Sequence, residues 1–355
     1  MKLFKMTLLY CFITSCSDIK IKPINTVETP PSIKVEEVKP TADIDHSHQS
    51  KVVETKIIEN TDKVKSYCKK VDKYFQKYNW GKSNCDDYTW NHVRDSHWGT
   101  PLVWYVYGDE KSHKTKPKNT TLILCGVHGD EITPVKFCFD TLEDLKHHPD
   151  VLKDNLVIIA PIVTPDSFFR KKPTRYNGRG VDVNRNFPTK DWKKNALKLW
   201  KSRYSSDKRR FPGLEAMSEQ ETYFQVNLIK RYKPNKIISV HSPLTLIDYD
   251  GPIASNHKHG GTAEQLLVQM SAKAGKYRIN NYPFFTGSLG NWAGNERNIP
   301  TYTLELPNSD WTKTKKFYKT FQTAIHHAIS HEISSKMNEK KISDNESEQE
   351  NDKVL

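Results

Sequence analysis

Short apolar runs rich in β-branched residues, each closed by a polar or turn-forming residue, punctuate the middle of the chain. They are Leu102 to Tyr107, Thr121 to Cys125, Leu156 to Ile159, Ile237 to Val240 and Tyr302 to Leu304. Runs of this length, bounded in this way, predict buried strands. Helical patterns lie between and after them. Ser218-Glu219-Gln220-Glu221 has the spacing of a capping box, and Tyr223, Phe224, Val226, Leu228 and Ile229 supply an apolar side to the helix it would start. Phe317, Phe321, Ala324, Ala328 and Ile329 recur at helical spacing and predict a final helix on the sheet. This alternation predicts an α/β fold, a three-layer sandwich with a mixed, largely parallel central sheet flanked by helices. No internal repeat is visible.

The patterning fades at both ends. Lys2 and Lys5, the apolar segment Met6 to Ile13 and the small residues before Cys16 have the order of an export signal, and the segment is too short to span a bilayer. Ile13-Thr14-Ser15-Cys16 resembles the lipobox of bacterial lipoproteins, which implies a signal peptide over 1–15 and Cys16 as an acylated membrane anchor. Residues 16–65 are rich in Pro, Lys, Glu and Thr without a helical period and read as a disordered tether. His46 and His48 within it read as solvated side chains. Aromatics arrive abruptly at Tyr67, and a catalytic domain is expected over 66–335, followed by a disordered, mixed-charge tail over 336–355.

Composition sharpens the destination. The 355 residues carry 55 Lys+Arg against 42 Asp+Glu, a formal charge of +13 that favours anionic surroundings. Export points away from nucleic acid and toward cell wall or membrane surface, with the protein lipid-anchored and facing the periplasm of a bacterium. An oxidising compartment permits disulfides among Cys68, Cys85, Cys125 and Cys138. Cys68 with Cys85 is the simpler pairing because both lie outside the apolar runs, and Cys125, ending a strand, reads as a small hydrophobe.

The strand ends carry the chemistry. Thr121 to Cys125 runs into Gly126-Val127-His128-Gly129-Asp130-Glu131, where the glycines allow a sharp turn and His128 and Glu131 can face one space. A second strand delivers His241, and a third buries Glu305, a carboxylate that is costly there without a partner or a role. Between them lies a loop from Arg175 to Pro188, dense in guanidinium and amide groups suited to carboxylates.

These four pieces, in this order, resemble the zinc carboxypeptidase family over roughly residues 100–333. The resemblance implies one zinc ion held by His128, Glu131 and His241, with Asp182 orienting His128. It implies Glu305 as general base, Arg175 polarising the scissile carbonyl, Asn184 and Arg185 holding a substrate carboxylate, and Tyr282 either capping the substrate or simply packing. The His-Gly-Asp-Glu, Asn-Arg-Asn-Phe-Pro and Gly-Ser-Leu-Gly-Asn-Trp segments are most similar to the murein peptide amidase branch. That branch implies peptidoglycan peptides as partners, cleavage of the γ-D-glutamyl to meso-diaminopimelate bond, and Asp130 as a receptor for a substrate amino group. Alternatives are an exported carboxypeptidase for ordinary peptide C-termini, a deacylase of N-acyl amino acids, and an inactive wall-binding lipoprotein.

Overall fold

A computed structural model describes residues 60–251 and 262–333. The signal, Cys16, His46, His48, almost all of the tether and the tail over 336–355 lie outside these residues. Strands run at Asn91–Asp95 (β1), Pro101–Tyr107 (β2), Asn119–Leu124 (β3), Asn155–Ala160 (β4), Lys236–His241 (β5), Leu246–Asp250 (β6), Ile279–Asn280 (β7) and Thr301–Glu305 (β8). Helices run at Asp62–Lys77 (α1), Glu110–Thr115 (α2), Ile132–Lys146 (α3), Pro149–Leu152 (α4), Pro165–Phe168 (α5), Trp192–Ser202 (α6), Gln220–Tyr232 (α7), Thr262–Lys273 (α8) and Thr314–Ser330 (α9). All five expected strands and both expected helices are present. The folded part starts earlier than expected: Thr61 caps α1 by accepting from the Val64 amide, and Val64, Tyr67, Cys68, Val71 and Phe75 form its buried face.

The strands form one mixed sheet in the order β1-β2-β4-β3-β5-β8-β6-β7. Its centre, β4-β3-β5-β8, is parallel. Antiparallel β1 and β2 border it on one side, and β6 pairs antiparallel with β8 on the other. Successive residues of β3 serve opposite cores, as strand alternation requires: Ile123 packs beneath α1, α3 and α9, whereas Leu122 and Leu124 pack toward α7. Two apolar layers, one on each face of the sheet, make the three-layer sandwich. Truncating a fully buried Leu122 or Ile123 in such a core costs about 2–5 kcal/mol.

Two disulfides brace the scaffold. Cys68–Cys85 joins α1 to the turn after it, as expected. Cys125–Cys138 corrects the reading of Cys125 as a simple hydrophobe: it ties the residue after β3 to α3, with the Cα atoms 6.2 Å apart. That bond closes a short loop around His128 and Glu131, worth about 3 kcal/mol in the chain-entropy picture. The capping box at Ser218 is also not made. The Ser218 hydroxyl turns to Glu219 and Asn186, and α7 starts without a side-chain cap. Among the described residues no helix is long and apolar enough to cross a membrane.

Candidate active site

Two parallel strands end side by side at the centre of the sheet, and their last residues are His241 and Glu305, direct neighbours in register. The adjacent strand, β3, leads through Cys125 and Gly126, whose φ of +59° lies in the left-handed region glycine tolerates, into His128 and Glu131. Carboxyl ends of parallel strands at the middle of an open sheet therefore converge on one space.

Within that space Glu131 is the hub. It stands at the N-cap of α3 but makes no side-chain capping bond. Its Oε1 lies 2.8 Å from His128 Nδ1, and its Oε2 lies 2.9 Å from His241 Nδ1. Donor atoms of His128, Glu131 and His241 lie within 4.8 Å of one another, and the two imidazole rings are 5.0 Å apart. The far nitrogens are already engaged. His128 Nε2 is 3.1 Å from Asp182 Oδ1, and His241 Nε2 is 2.9 Å from Ser239 Oγ, so both Nδ1 atoms are left to face the carboxylate. Two oriented imidazoles and a carboxylate suit zinc, with further positions open for water or substrate.

Charge reinforces the set. Burial works to raise the Glu131 carboxyl, but His128 and His241 hold it well below the usual carboxylate range. Asp182 is fully buried yet is likewise held low, against the cost of burial, by Arg175 and His128. Arg175 binds both carboxylates, donating from Nε to Asp182 Oδ2 at 2.8 Å and from Nη1 to Glu131 Oε1 at 3.2 Å. The remaining donors of its fork are available to a substrate oxygen. Glu305 is half-buried and accepts from the Leu244 amide at 3.3 Å. Burial raises its carboxyl, opposed by His241.

A short helical turn, Val183–Arg185, follows Asp182, which caps it by accepting from the Asn184 amide. Asn184 Oδ1 accepts from the Leu289 amide at 2.8 Å, which leaves its amide NH₂ free to donate. Gly287 is required for this docking: a Cβ there would lie 2.1 Å from the Arg185 carbonyl oxygen, and its φ is +74°. Arg185 Nε is buried without a partner among the described residues. A pocket beside it is lined by Arg203, Tyr204, Arg210, Trp200 and Phe285.

The zinc carboxypeptidase profile matches residues 86–328. The chain belongs to the zinc carboxypeptidase family. Murein peptide amidase A of Vibrio campbellii is 28% identical over 234 residues, covering 64% of this chain and 84% of that protein. The Escherichia coli K12 protein of that name is 29% identical over 212 residues, covering 59% and 77%. Bovine thrombin-activatable fibrinolysis inhibitor, solved with tick carboxypeptidase inhibitor, superposes with a TM-score of 0.56 at 18% identity, covering 74% of this chain and 96% of that one, which bears on the fold. This zinc carboxypeptidase relative of the murein peptide amidases is accordingly a hydrolase of the metallopeptidase and amidase type.

Asp130 and Tyr282, the remaining expected substrate residues of this zinc carboxypeptidase, have the following surroundings. Asp130 Oδ2 is paired with Nη1 of the exposed Arg209 at 2.6 Å, and its Oδ1 is buried without a hydrogen-bond partner among the described residues. Tyr282 is half-buried after β7, with its amide bound to Asp248, and among the described residues no hydrogen bond links its hydroxyl to the histidines or carboxylates of the site.

Several supporting residues escaped sequence reasoning. Ser239 lies two positions before His241 on the same strand face, a signal that was available. Asn177, Glu219 and Glu221 form a buried network under the loop bearing Arg175 and Asp182: Asn177 Nδ2 donates to both glutamates at 2.8 Å, and its Oδ1 accepts from the Arg179 and Val181 amides. Burial raises the Glu221 carboxyl to about 7, from an ordinary 4.5, with Asp166 and Glu219 adding to the rise and Asn177 opposing it. The folded state therefore holds a proton that the unfolded chain releases near 4.5. This contribution to stability is complete below that value and is lost as pH rises through about 7. Glu221→Gln is expected to remove the slope and to exceed wild type above pH 7 by up to about 3 kcal/mol, as measured by urea unfolding from about pH 4.5 to just above 7. Parallel pH profiles for the two proteins would refute the assignment.

Proposed function

We propose that this chain hydrolyses peptidoglycan peptides, cutting the amide bond between γ-D-glutamate and meso-diaminopimelate. The observation that carries the reading is the pairing of the His128, Glu131 and His241 triad with a neighbouring, half-buried Glu305 and an Arg185 whose Nε has no hydrogen-bond partner among the described residues. Similarity to two murein peptide amidases supports the choice of substrate.

Zinc, when held by the triad, supplies a Lewis acid that lowers the pKa of water toward neutrality and polarises a carbonyl. The protein's own groups do the rest. Glu305 takes a proton from the attacking water and returns it to the leaving amine, a role served by a carboxyl raised toward the working pH. Arg175 donates to the oxygen on which negative charge develops, from a guanidinium already fixed by Asp182 and Glu131. Asn184 and Arg185 place the substrate carboxylate relative to the bond that breaks. Burial, together with Arg175 and Arg210 nearby, pulls the Arg185 guanidinium below its usual range against the pull of Asp182, so an arriving carboxylate relieves it. Arg203 and Arg210 at the same pocket favour a leaving residue with more than one carboxylate, which diaminopimelate has and most C-terminal residues lack.

The lipid anchor at Cys16, facing the periplasm, belongs to the same proposal and rests on the N-terminal motif. One experiment covers both parts. The full chain, expressed in a bacterium with a labelled fatty acid, is purified, loaded with zinc and incubated with a defined muropeptide and with ordinary C-terminal peptides. Label that disappears in Cys16→Ser, and release of a diaminopimelate-containing product with ordinary peptides untouched, are expected. Cleavage of the ordinary peptides alone would establish the carboxypeptidase alternative, and a label unaffected by Cys16→Ser would remove the anchor.

A further inference from the structure

The far end of α3 carries a second cluster of metal-ligand types. Asp144 sits in the last turn of α3, His148 lies just beyond it at the start of α4, and His326 projects from α9. One donor atom from each lies within 4.8 Å of the other two. The carboxylate is again the hub: His148 Nδ1 is 3.4 Å from Asp144 Oδ1, and His326 Nε2 contacts Asp144 Oδ2.

This arrangement repeats that of the catalytic triad. Its imidazole rings are 4.6 Å apart at an interplanar angle of 54°, against 5.0 Å and 54° for His128 and His241. The carboxylate is oriented from outside, as Tyr318 donates its hydroxyl to Oδ2 at 2.8 Å and Gln322, one turn before His326, donates to Oδ1 at 2.6 Å. Such outer hydrogen bonds hold a ligand in place before an ion arrives. The groups satisfy one another, with His326 against Asp144 and His148 Nδ1 donating to the Asp144 carbonyl at 2.8 Å. Those bonds use the protons that metal binding would displace. The cluster is half-exposed, so an ion can reach it.

We propose that Asp144, His148 and His326 form a second site for a divalent transition metal, with imidazole and carboxylate donors suited to zinc. Glu131 and Asp144 stand at opposite ends of one helix, about 20 Å apart at 1.5 Å per residue, so the two sites hold separate ions. Because its ligands come from the α3–α4 junction and from α9, an ion here clamps elements on the helical face of the sheet opposite α7, and its role is structural.

The test is equilibrium dialysis of the full chain against low-micromolar zinc, with metal content and melting temperature both measured. Wild type should retain two zinc ions per chain. His148→Ala/His326→Ala should retain one, keep its hydrolytic turnover and lose part of the zinc-dependent rise in melting temperature. His46 and His48 are present in both proteins, so the difference isolates the cluster. Should the double variant fail to fold, histidine carbethoxylation of wild type decides: zinc should protect His148 and His326 but leave exposed His147 reactive. One zinc ion in wild type, two in the folded double variant, or no protection of His148 and His326 would overturn the proposal. None of these outcomes depends on which peptide the enzyme cuts.

Discussion

Glu305→Gln is expected to keep zinc bound and to lower kcat on the muropeptide by about 10²–10⁴-fold, the range a positioned general base contributes. Glutamine has the shape of glutamate and can still accept from the Leu244 amide, so the end of β8 should keep its register with β5. It cannot accept a proton from water. Every metal ligand remains, and Glu305 touches none of them through a hydrogen bond. The loss should therefore fall on kcat with zinc content unchanged, the signature of an interaction made in the transition state. Single-turnover rates and metal analysis on the same preparation check this. Activity within tenfold of wild type would assign the proton transfer to another group and leave the buried carboxylate without an explanation.

The sequence disclosed this site because its chemistry sits where apolar runs stop. β3 and β5 are buried along nearly their whole length and β8 over most of its own, so a histidine or glutamate just past the last apolar residue stood out. Strand order was not legible. Nothing in the local pattern says that β5 lies between β3 and β8, the adjacency that sets His241 beside Glu305 and both beside Glu131. Strands β1, β6 and β7 were missed for physical reasons: Asn-His-Val-Arg-Asp and Ile-Asn are short, polar segments at the two sheet edges, where tertiary pairing outweighs propensity, and in the buried β6, Leu-Ile-Asp-Tyr-Asp, two aspartates interrupt the apolar run.

Errors at single residues have similar causes. The ion pair of Asp130 with Arg209, 79 positions away, is not visible in one dimension. Ser218 looked like a helix cap because the spacing fits, but Asn186 and Glu219 compete for its hydroxyl. Cys125 looked like a hydrophobe because a fully buried thiol and a fully buried disulfide have the same neighbours in sequence. The Asp144, His148 and His326 cluster joins helices more than 170 residues apart through the Gln322 and Tyr318 bonds, and no motif announces it.

Glu131→Gln should have the largest effect on the metal. The Glu131 carboxylate faces His128 at 2.8 Å, His241 at 2.9 Å, Arg175 at 3.2 Å and the Ser242 amide at 3.3 Å. Removing its charge leaves two imidazoles and a guanidinium around a neutral amide. Zinc affinity should fall by more than the roughly 10–100-fold that loss of an outer hydrogen-bonding partner costs, because here a ligand itself is lost. Hydrolysis should fall to background, since no other carboxylate can take its place: Asp182 is committed to Arg175 and His128, and Glu305 is needed for the proton. The variant is best measured in the His148→Ala/His326→Ala background, where zinc at the second cluster does not mask the loss. The apo protein should also lose some stability, because Arg175 keeps Asp182 but exchanges its second carboxylate for a neutral amide. Full zinc occupancy with turnover near wild type would remove Glu131 from the metal set. The two histidines would then need a third ligand, and Asp182 could serve only by releasing Arg175, a change that the loss of Arg175–Asp182 coupling in a double-mutant cycle would reveal.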